Sequence, residues 1–121
     1  MATINPIVNK SVQGANSVVT AQWVLGSADT GVQVALTDWY DRSIQIAGTM
    51  GGATVVIQGS NDGVNWVTLR DPASVALSFT ATDIKQLLEM ALYIRPVSSG
   101  GTGSAITVTM AGRQLIPLAW S

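Results

Sequence analysis

The stretch from Ala53 to Arg70 constrains the fold of this chain more than any other part of the sequence. Two runs rich in β-branched residues, 53–59 and 64–69, flank the sequence Ser60-Asn61-Asp62-Gly63. β-Branched residues suit a pleated, half-buried surface, whereas Asn, Asp and Gly accept the backbone angles of a tight turn. A short loop ending in Gly is typical of a type I turn closed by a bulge. The pattern predicts a β-hairpin, and we expect the ring of Trp66 to fix it against the core or a neighbour.

Short runs of alternating apolar and polar residues recur along the rest of the chain, separated by turn-forming residues. In one such run Ile106, Val108 and Met110 alternate with threonines. About eight short strands at regular spacing predict an all-β fold, an antiparallel β-sandwich or jelly roll. The expected strands span residues 17–25, 32–36, 42–48, 53–59, 64–69, 74–79, 92–97 and 105–112.

One segment departs from the strand pattern and favours a helix. Thr82 or Asp83 can cap it, and Gln86 follows Asp83 by three residues, as in a capping box. The apolar residues of the segment recur at helical spacing, namely Ile84, Leu87, Leu88 and Ala91. We therefore expect one short helix near residues 82–90, lying over an open end of the sheets.

The length of 121 residues is that of one domain. Residues 1–16 are polar and interrupted by Asn, Pro and Gly, so we expect an extended N-terminal arm. Residues 17–113 hold the strand pattern and form the single β-sandwich domain. Residues 114–121 form an apolar C-terminal tail, and an exposed apolar segment of this kind is typical of an interaction site.

The low charge content favours some kinds of partner and argues against others. Charged residues make up 11% of the chain and the net charge is -1, so much of the surface is uncharged. A surface of this kind fits a protein that hides part of it against partners, and we expect a homo-oligomer, a dimer or a trimer. Nucleic acid is not an expected partner, because the basic residues are scattered singly: Lys10, Arg42, Arg70, Lys85, Arg95 and Arg113. No apolar run approaches the length of a membrane span, and the N-terminus lacks the pattern of a signal peptide.

The residue types that usually carry catalysis are scarce. The chain contains no Cys and no His, which removes thiol chemistry, the usual general base and the usual metal ligands. Asp38 and Asp41 are potential oxygen ligands for calcium, but two carboxylates are few for such a site, and we expect Asp38 to end a strand and Asp41 to contact Arg42 or solvent. Asp62 is also a possible ligand, but its place in the turn already explains why an Asp stands there, so we expect no metal at this residue. We expect no enzymatic activity, no cofactor and no metal.

Candidate interaction residues lie at both termini and in one aromatic pair. We expect Ile4, Pro6, Ile7 and Val8 of the arm, and Leu115, Ile116, Leu118 and Trp120 of the tail, to contact partner subunits. Trp39 and Tyr40 stand together at a strand end, where an exposed aromatic platform can form. Trp23 and Trp66 lie on predicted strands, which favours a place in the core or at an interface.

Two motifs together resemble a known class of protein. The first is Val56-Ile57-Gln58-Gly59-Ser60-Asn61-Asp62-Gly63-Val64-Asn65-Trp66-Val67-Thr68-Leu69. The second follows the expected helix and consists of Tyr93-Ile94-Arg95-Pro96-Val97, a glycine-rich turn and Ile106-Thr107-Val108-Thr109-Met110. This order, over residues 53–112, resembles small structural proteins of tailed bacteriophages that decorate or cement the outside of the head. The resemblance implies a virion protein on the outer capsid surface, with the major capsid protein and copies of itself as partners.

A second resemblance leaves an alternative open. The Gly-Ser-Asn-Asp-Gly-x-Asn-Trp part of the first motif is also similar to discoidin-like carbohydrate-binding jelly rolls. That resemblance implies a sugar-binding platform built from Trp39, Tyr40 and the loop 61–65. A tail or fibre component of the virion is the other alternative.

Overall fold

The computed structural model describes residues 2–13, 16–35, 39–102 and 104–115. These residues form twelve β-strands, and no helix is found among them. The all-β sandwich expected from the alternating pattern is therefore confirmed. Numbered in chain order from β1 to β12, the strands are Ala2–Ile4, Ile7–Gln13, Asn16–Leu25, Asp29–Gly31, Val34–Ala35, Tyr40–Thr49, Thr54–Ser60, Val67–Thr68, Ser78–Phe79, Asp83–Gln86, Tyr93–Ser99 and Ser104–Leu115.

The strands form two sheets. One has seven strands: β1, β4, β11, β7 and β8 follow in that order, β5 pairs with β11, and β9 pairs with β7. The other has five strands in the order β10, β6, β12, β3 and β2. Every pairing between these strands is antiparallel except that of β1 with β4.

The core lies between the inner faces of the two sheets. Trp23 of β3 is fully buried there, and its indole nitrogen donates a hydrogen bond to the carbonyl of Val32. Ile57 of β7, Ile94 of β11 and Val108 of β12 are buried around it. These side chains alternate with outward-facing ones along each strand, which is why the period of two in the sequence indicated the sandwich.

The hairpin expected between residues 53 and 70 is present. β7 and β8 pair in antiparallel register, with Gln58 opposite Thr68 and Gly59 opposite Val67. Gly63 has a positive φ of 76°, as the turn prediction requires of this position. The second strand is shorter than the expected 64–69, mainly because the amides of Val64 and Asn65 are bonded to the side chain of Asp62 in the loop and do not pair with β7.

The prediction of a helix near residues 82–90 is wrong. Residues 83–86 form the edge strand β10, paired with β6 from Asp83 opposite Ile46 to Gln86 opposite Ser43. The amide of Leu87 donates to the carbonyl of Arg42 and continues this contact. A single helical turn fixes several residues for one hydrogen bond, whereas the open edge of β6 supplies a partner for each paired group.

The N-terminal segment, expected as an extended arm, is extended and lies within both sheets. β1 pairs in parallel with β4 of the seven-stranded sheet, and β2 pairs with β3 at the edge of the five-stranded sheet. The chain changes sheets at Asn5 and Pro6, between the two strands. The N-terminal segment thus connects the two layers at one side of the sandwich.

Candidate interaction surface

The loop of the central hairpin is a rigid structure held by its own side chains. One carboxylate oxygen of Asp62 accepts hydrogen bonds from the amides of Val64 and Asn65, and the other accepts one from the side-chain amide of Asn65. These hydrogen bonds, with one from the hydroxyl of Ser60, hold the pKa of Asp62 well below its usual range. The carboxylate is therefore used by the loop itself, as the turn interpretation of Asp62 requires.

Trp66 lies on the outer face of the seven-stranded sheet and not in the core. Its ring stacks on the guanidinium of Arg95 in β11, with 4.1 Å between the guanidinium carbon and the ring centre. The Nε of Arg95 donates to the side-chain oxygen of Gln58, its cross-strand partner. Partial burial lowers the pKa of Arg95, and the guanidinium remains charged. Trp66 thus fixes the end of the hairpin on a neighbouring strand, as the sequence predicted.

A groove of about 670 Å³ lies beside the hairpin, between residues 65–70 and 89–91. An ion pair lies in its lining, with the Nε of Arg70 2.6 Å from a carboxylate oxygen of Glu89. Burial opposes ionisation of Glu89, but the hydrogen bonds and the charge of Arg70 outweigh it, so the pKa of Glu89 is lowered. The side-chain oxygen of Asn61, which also lines the groove, accepts a hydrogen bond from the amide of Leu92. The charges of Arg70 and Glu89 cancel, so the lining of the groove is neutral overall.

The expected aromatic platform of Trp39 and Tyr40 is corrected by the structure. Trp39 is only 8% exposed and belongs to the core, and its carbonyl accepts a hydrogen bond from the buried side chain of Arg42. The apolar area of the indole is large, and burying it against the core is more favourable than exposing it at a strand end. Tyr40 begins β6, and the position of its side chain is outside the described residues. Trp39 therefore offers no exposed ring to a sugar.

The described residues hold no group of three or more His, Cys, Asp or Glu side chains arranged to bind a metal. Asp41 is exposed, and Asp38 lies outside the described residues. Among all the residues that the structure describes, no helix has the length and apolar character needed to cross a membrane.

The expected contact residues at the N-terminus divide into two kinds. Ile4 packs against the core, and Pro6 is half-buried. Ile7 and Val8 of the edge strand β2 are 61% and 43% exposed. At the C-terminus, Leu115 ends β12 opposite Asn16, while Ile116, Leu118 and Trp120 lie outside the described residues. Of the four expected contact residues of the arm, Ile7 and Val8 are thus the exposed ones.

The outer face of the five-stranded sheet is built from three rows of side chains that cross the strands. We call these rows together the neutral face, since no charged residue stands in any of them. The middle row is Ile7, Gln22, Thr109, Gln45 and Ile84; the row on one side is Asn9, Thr20, Ala111, Ser43 and Gln86; the row on the other side is Val24, Thr107 and Ala47.

Exposed apolar side chains mark both edges of the neutral face. Ile7 on β2 and Ile84 on β10 end the middle row, and each is 61% exposed. Between them the side-chain amide of Gln22 donates to the hydroxyl of Thr109, 3.1 Å away. The row therefore presents an ordered polar centre between two apolar ends, a pattern that sequence reasoning missed because it depends on strand order.

Charged side chains of the described residues lie mainly away from the neutral face. Lys85, although on edge strand β10, has its amine 3.8 Å from a carboxylate oxygen of Asp71 and 5.9 Å from the ring of Phe79. Arg113 stands opposite Val18 in the next row and borders the face. About a quarter of the residues of a typical soluble domain are charged, so three successive rows of outward-facing side chains without a charge are unusual.

Fold and surface together define a small all-β sandwich whose five-stranded sheet has an uncharged outer face. No family model matches the sequence, and no curated protein matches it. Among solved structures, the SPBc2 prophage-derived protein YomS is similar, with 12% sequence identity and a TM-score of 0.67 over 86% of this chain and 99% of that chain. At this identity the likeness shows the fold alone.

Two further structures are more distant. A cupin family protein with a double-stranded β-helix fold from Methanocaldococcus jannaschii has 10% identity and a TM-score of 0.45, covering 91% of this chain and 81% of that one. A chitosan-binding module of a chitosanase/glucanase from Paenibacillus sp. has 16% identity and a TM-score of 0.36, covering 89% and 74%. Neither similarity is strong enough to carry an argument about function.

Proposed function

We propose that this chain is a non-enzymatic structural subunit of a tailed-bacteriophage particle, which decorates or cements the outside of the capsid. The observation that carries the proposal is the neutral face, with its exposed isoleucines at both edges. Uncharged side chains cost less to bury against another protein than charged ones do, and the exposed isoleucines gain by burial. The partners are the major capsid protein and further copies of this chain.

Two other features support this function. The sandwich has the fold of a prophage-derived protein over nearly the whole length of both chains. The N-terminal segment 2–13 belongs to both sheets, so contacts made by Ile7 and Val8 act on a rigid body. These contact residues, and the tail residues Leu115, Ile116, Leu118 and Trp120, remain predictions.

The action of such a subunit is mechanical. Repeated copies bridge neighbouring capsid subunits and bury surface that is exposed when the capsid is bare. Binding contributes free energy only to the assembled state, so the assembled capsid is stabilised by mass action against pressure from the packed genome. No bond is made or broken, which is consistent with a chain that has no His or Cys.

The test is to look for the chain in particles of the phage that encodes it. Mass spectrometry of purified particles is expected to find it in a fixed ratio to the major capsid protein, and labelled antibodies are expected to mark the head. Label on the tail or on fibres would favour the alternative of a tail component. Absence from purified particles would contradict the proposal.

Contact with the capsid is tested by substitution and not by deletion. Removing residues 1–12 would remove two paired strands and disturb the fold. Ile7→Asp and Val8→Asp place a charge on the exposed side chains and are expected to weaken incorporation into particles. Val64→Asp, which alters a side chain that is 77% exposed on the hairpin loop, is the matched control.

Carbohydrate binding is the second candidate, favoured by the groove beside the hairpin. Asn61, Asn65, Arg70 and Glu89 place amide, guanidinium and carboxylate groups around an apolar floor. A glycan array is the direct test, with Glu89→Gln and Asn65→Ala as variants. Binding lost in both variants would support a sugar-binding module, and an array without any binder would remove this candidate.

A further inference from the structure

We propose that the neutral face pairs with the neutral face of a second copy, about a two-fold axis that runs along the central strand β12 through Thr109. The inference rests on the proposed function, because it names the copy of this chain as the partner of that face. Ile7 then belongs to the pairing, and its substitution weakens incorporation into particles by weakening the dimer. Contact with the capsid is made by other exposed residues such as Val8, which alternation places on the opposite side of β2. The side chains of the three rows, and their order across the sheet, support this pairing.

The profile of the face permits two copies to approach closely. Its central strand carries only small side chains in the three rows, Thr107, Thr109 and Ala111. Larger side chains flank them, with Gln22 on one side and Gln45 on the other. Packed sheets lie about 10 Å apart, with strand directions within about 30° of each other. Small residues along the axis allow the two central strands to reach that spacing.

The middle row is nearly symmetric in its chemistry from one edge to the other. A two-fold axis along β12 places Thr109 opposite itself, Gln22 opposite Gln45 of the partner subunit, and Ile7 opposite Ile84 of the partner subunit. Each glutamine amide has both a donor and an acceptor, so the two can bond reciprocally. The isoleucines bury each other. Matching of a surface with itself is the requirement of an isologous interface.

The neighbouring rows meet the same requirement. With the same axis Ala111 and Thr107 lie opposite their own copies, and Thr20 lies opposite Ser43 of the partner subunit. No charge within the three rows is buried. Arg113, in the next row of β12, comes opposite its own copy at the exposed rim of the interface, where water and salt screen the two charges. Desolvating such groups costs far less than desolvating lysine or glutamate, which is what a face designed for solvent would carry.

The area of the face is that of a weak interface. Each of its thirteen side chains covers about 6.6 Å along a strand by about 4.8 Å between strands, so the face spans roughly 400 Å². Two copies then bury about 800 Å² in total, in the range of weak, transient interfaces. We therefore expect a concentration-dependent dimer in solution, which the high local concentration on a capsid surface would drive to completion.

Sedimentation velocity of the full chain, over a wide range of concentrations, tests the pairing. The wild type is expected to move from monomer to dimer. Thr109→Arg brings two charges together on the axis and is expected to weaken the dimer by at least tenfold, about the effect of one uncompensated buried charge. Thr54→Arg makes the same change on the outer face of the other sheet and is expected to leave the dimer unchanged. Circular dichroism confirms that each variant is folded.

A second pair of variants tests the direction of the axis. Gln45→Lys and Gln22→Glu are each expected to weaken the dimer, since each buries a charge opposite a neutral amide. Combined in one chain, they place opposite charges face to face across the interface and are expected to restore it. If the double variant is as weak as the single ones, the axis does not run along β12 and the proposal is overturned.

Two further outcomes would contradict the pairing and leave the proposed function uncontradicted. A wild type that remains monomeric at every concentration, yet is found in purified particles, means that the neutral face meets the capsid and not a second copy. A dimer that persists in Thr109→Arg means that another surface pairs. The opposite result is also informative. If Thr109→Arg abolishes the dimer but the protein is absent from purified particles, the pairing is supported and the proposed capsid role is contradicted.

Discussion

The guanidinium of Arg95 lies 4.1 Å from the ring centre of Trp66, and this contact joins the central hairpin to β11 from outside the sheet. Trp66→Ala is expected to lower the free energy of unfolding by about 1–2 kcal/mol, from lost stacking and lost apolar contact. Urea unfolding followed by circular dichroism measures it. Val64→Ala, a change at an exposed loop position, is expected to cost less than about 0.5 kcal/mol. Equal effects of the two substitutions would mean that the stack contributes nothing.

Gly48 of β6 is a position that only glycine fits. Its φ is 95°, and a Cβ atom built there would lie 2.2 Å from the carbonyl oxygen of Ala105 in β12. Gly48→Ala therefore combines backbone strain with a clash and is expected to destabilise by about 2–4 kcal/mol. Gly100 also has a positive φ, of 72°, but a Cβ atom there meets nothing within 4 Å. Gly100→Ala is expected to cost only about 1 kcal/mol.

The difference in stability between Gly48→Ala and Gly100→Ala measures the cost of the steric clash between β6 and β12, because both variants carry backbone strain but only Gly48→Ala has the clash. Thermal unfolding of both under identical conditions gives the comparison. A Gly100→Ala protein as unstable as Gly48→Ala would show that the backbone angle alone decides both positions.

The edge strand that replaces the expected helix makes a prediction about two adjacent leucines. Leu87 is buried at 3% exposure, whereas Leu88 is 44% exposed. Leu87→Ala is expected to cost about 2–4 kcal/mol, and Leu88→Ala less than about 1 kcal/mol. An amphipathic helix over the end of the sheets would bury both, so similar losses in denaturant unfolding would contradict the strand.

The carboxylate of Asp62 predicts a pH dependence of the hairpin loop. Its pKa in the folded chain is lowered by hydrogen bonds from Asn65, Val64 and Ser60, while in the unfolded chain it is about 3.9. Its contribution to stability is therefore fully present above about pH 4 and is lost as the pH falls towards the lowered pKa. The expected result is a melting temperature that falls with pH in this acidic range.

Asp62→Asn tests this dependence directly. The variant cannot ionise at this position, so its disadvantage in melting temperature is expected to shrink as the pH falls below about 4. Titration of the Asp62 carboxyl carbon by NMR gives the pKa itself. A titration midpoint near 4 would mean that the loop hydrogen bonds do not favour the ionised form.

Local pattern was sufficient for much of the fold. The β-branched runs beside Ser60-Asn61-Asp62-Gly63 predicted the hairpin, and the alternation in residues 105–112 predicted a strand of the sandwich, because side-chain period and turn chemistry are properties of adjacent residues. The same local reasoning was wrong for residues 82–90. Spacing of apolar residues there fits a helix, but the open edge of β6 decides the conformation, and that edge is distant in sequence.

The surfaces were decided by tertiary structure alone. Trp39 and Trp66 are both aromatic residues near strand ends, yet one is in the core and the other is on the outer face beside Arg95. The neutral face joins Ile7, Gln22, Thr109, Gln45 and Ile84, which only strand order brings into one row. The sequence by itself determined that the chain is an all-β sandwich of low charge. The pairing of strands far apart in the chain determined which uncharged residues lie together on one face. Cross-strand neighbours are set by the register of the strands and not by adjacency in the sequence.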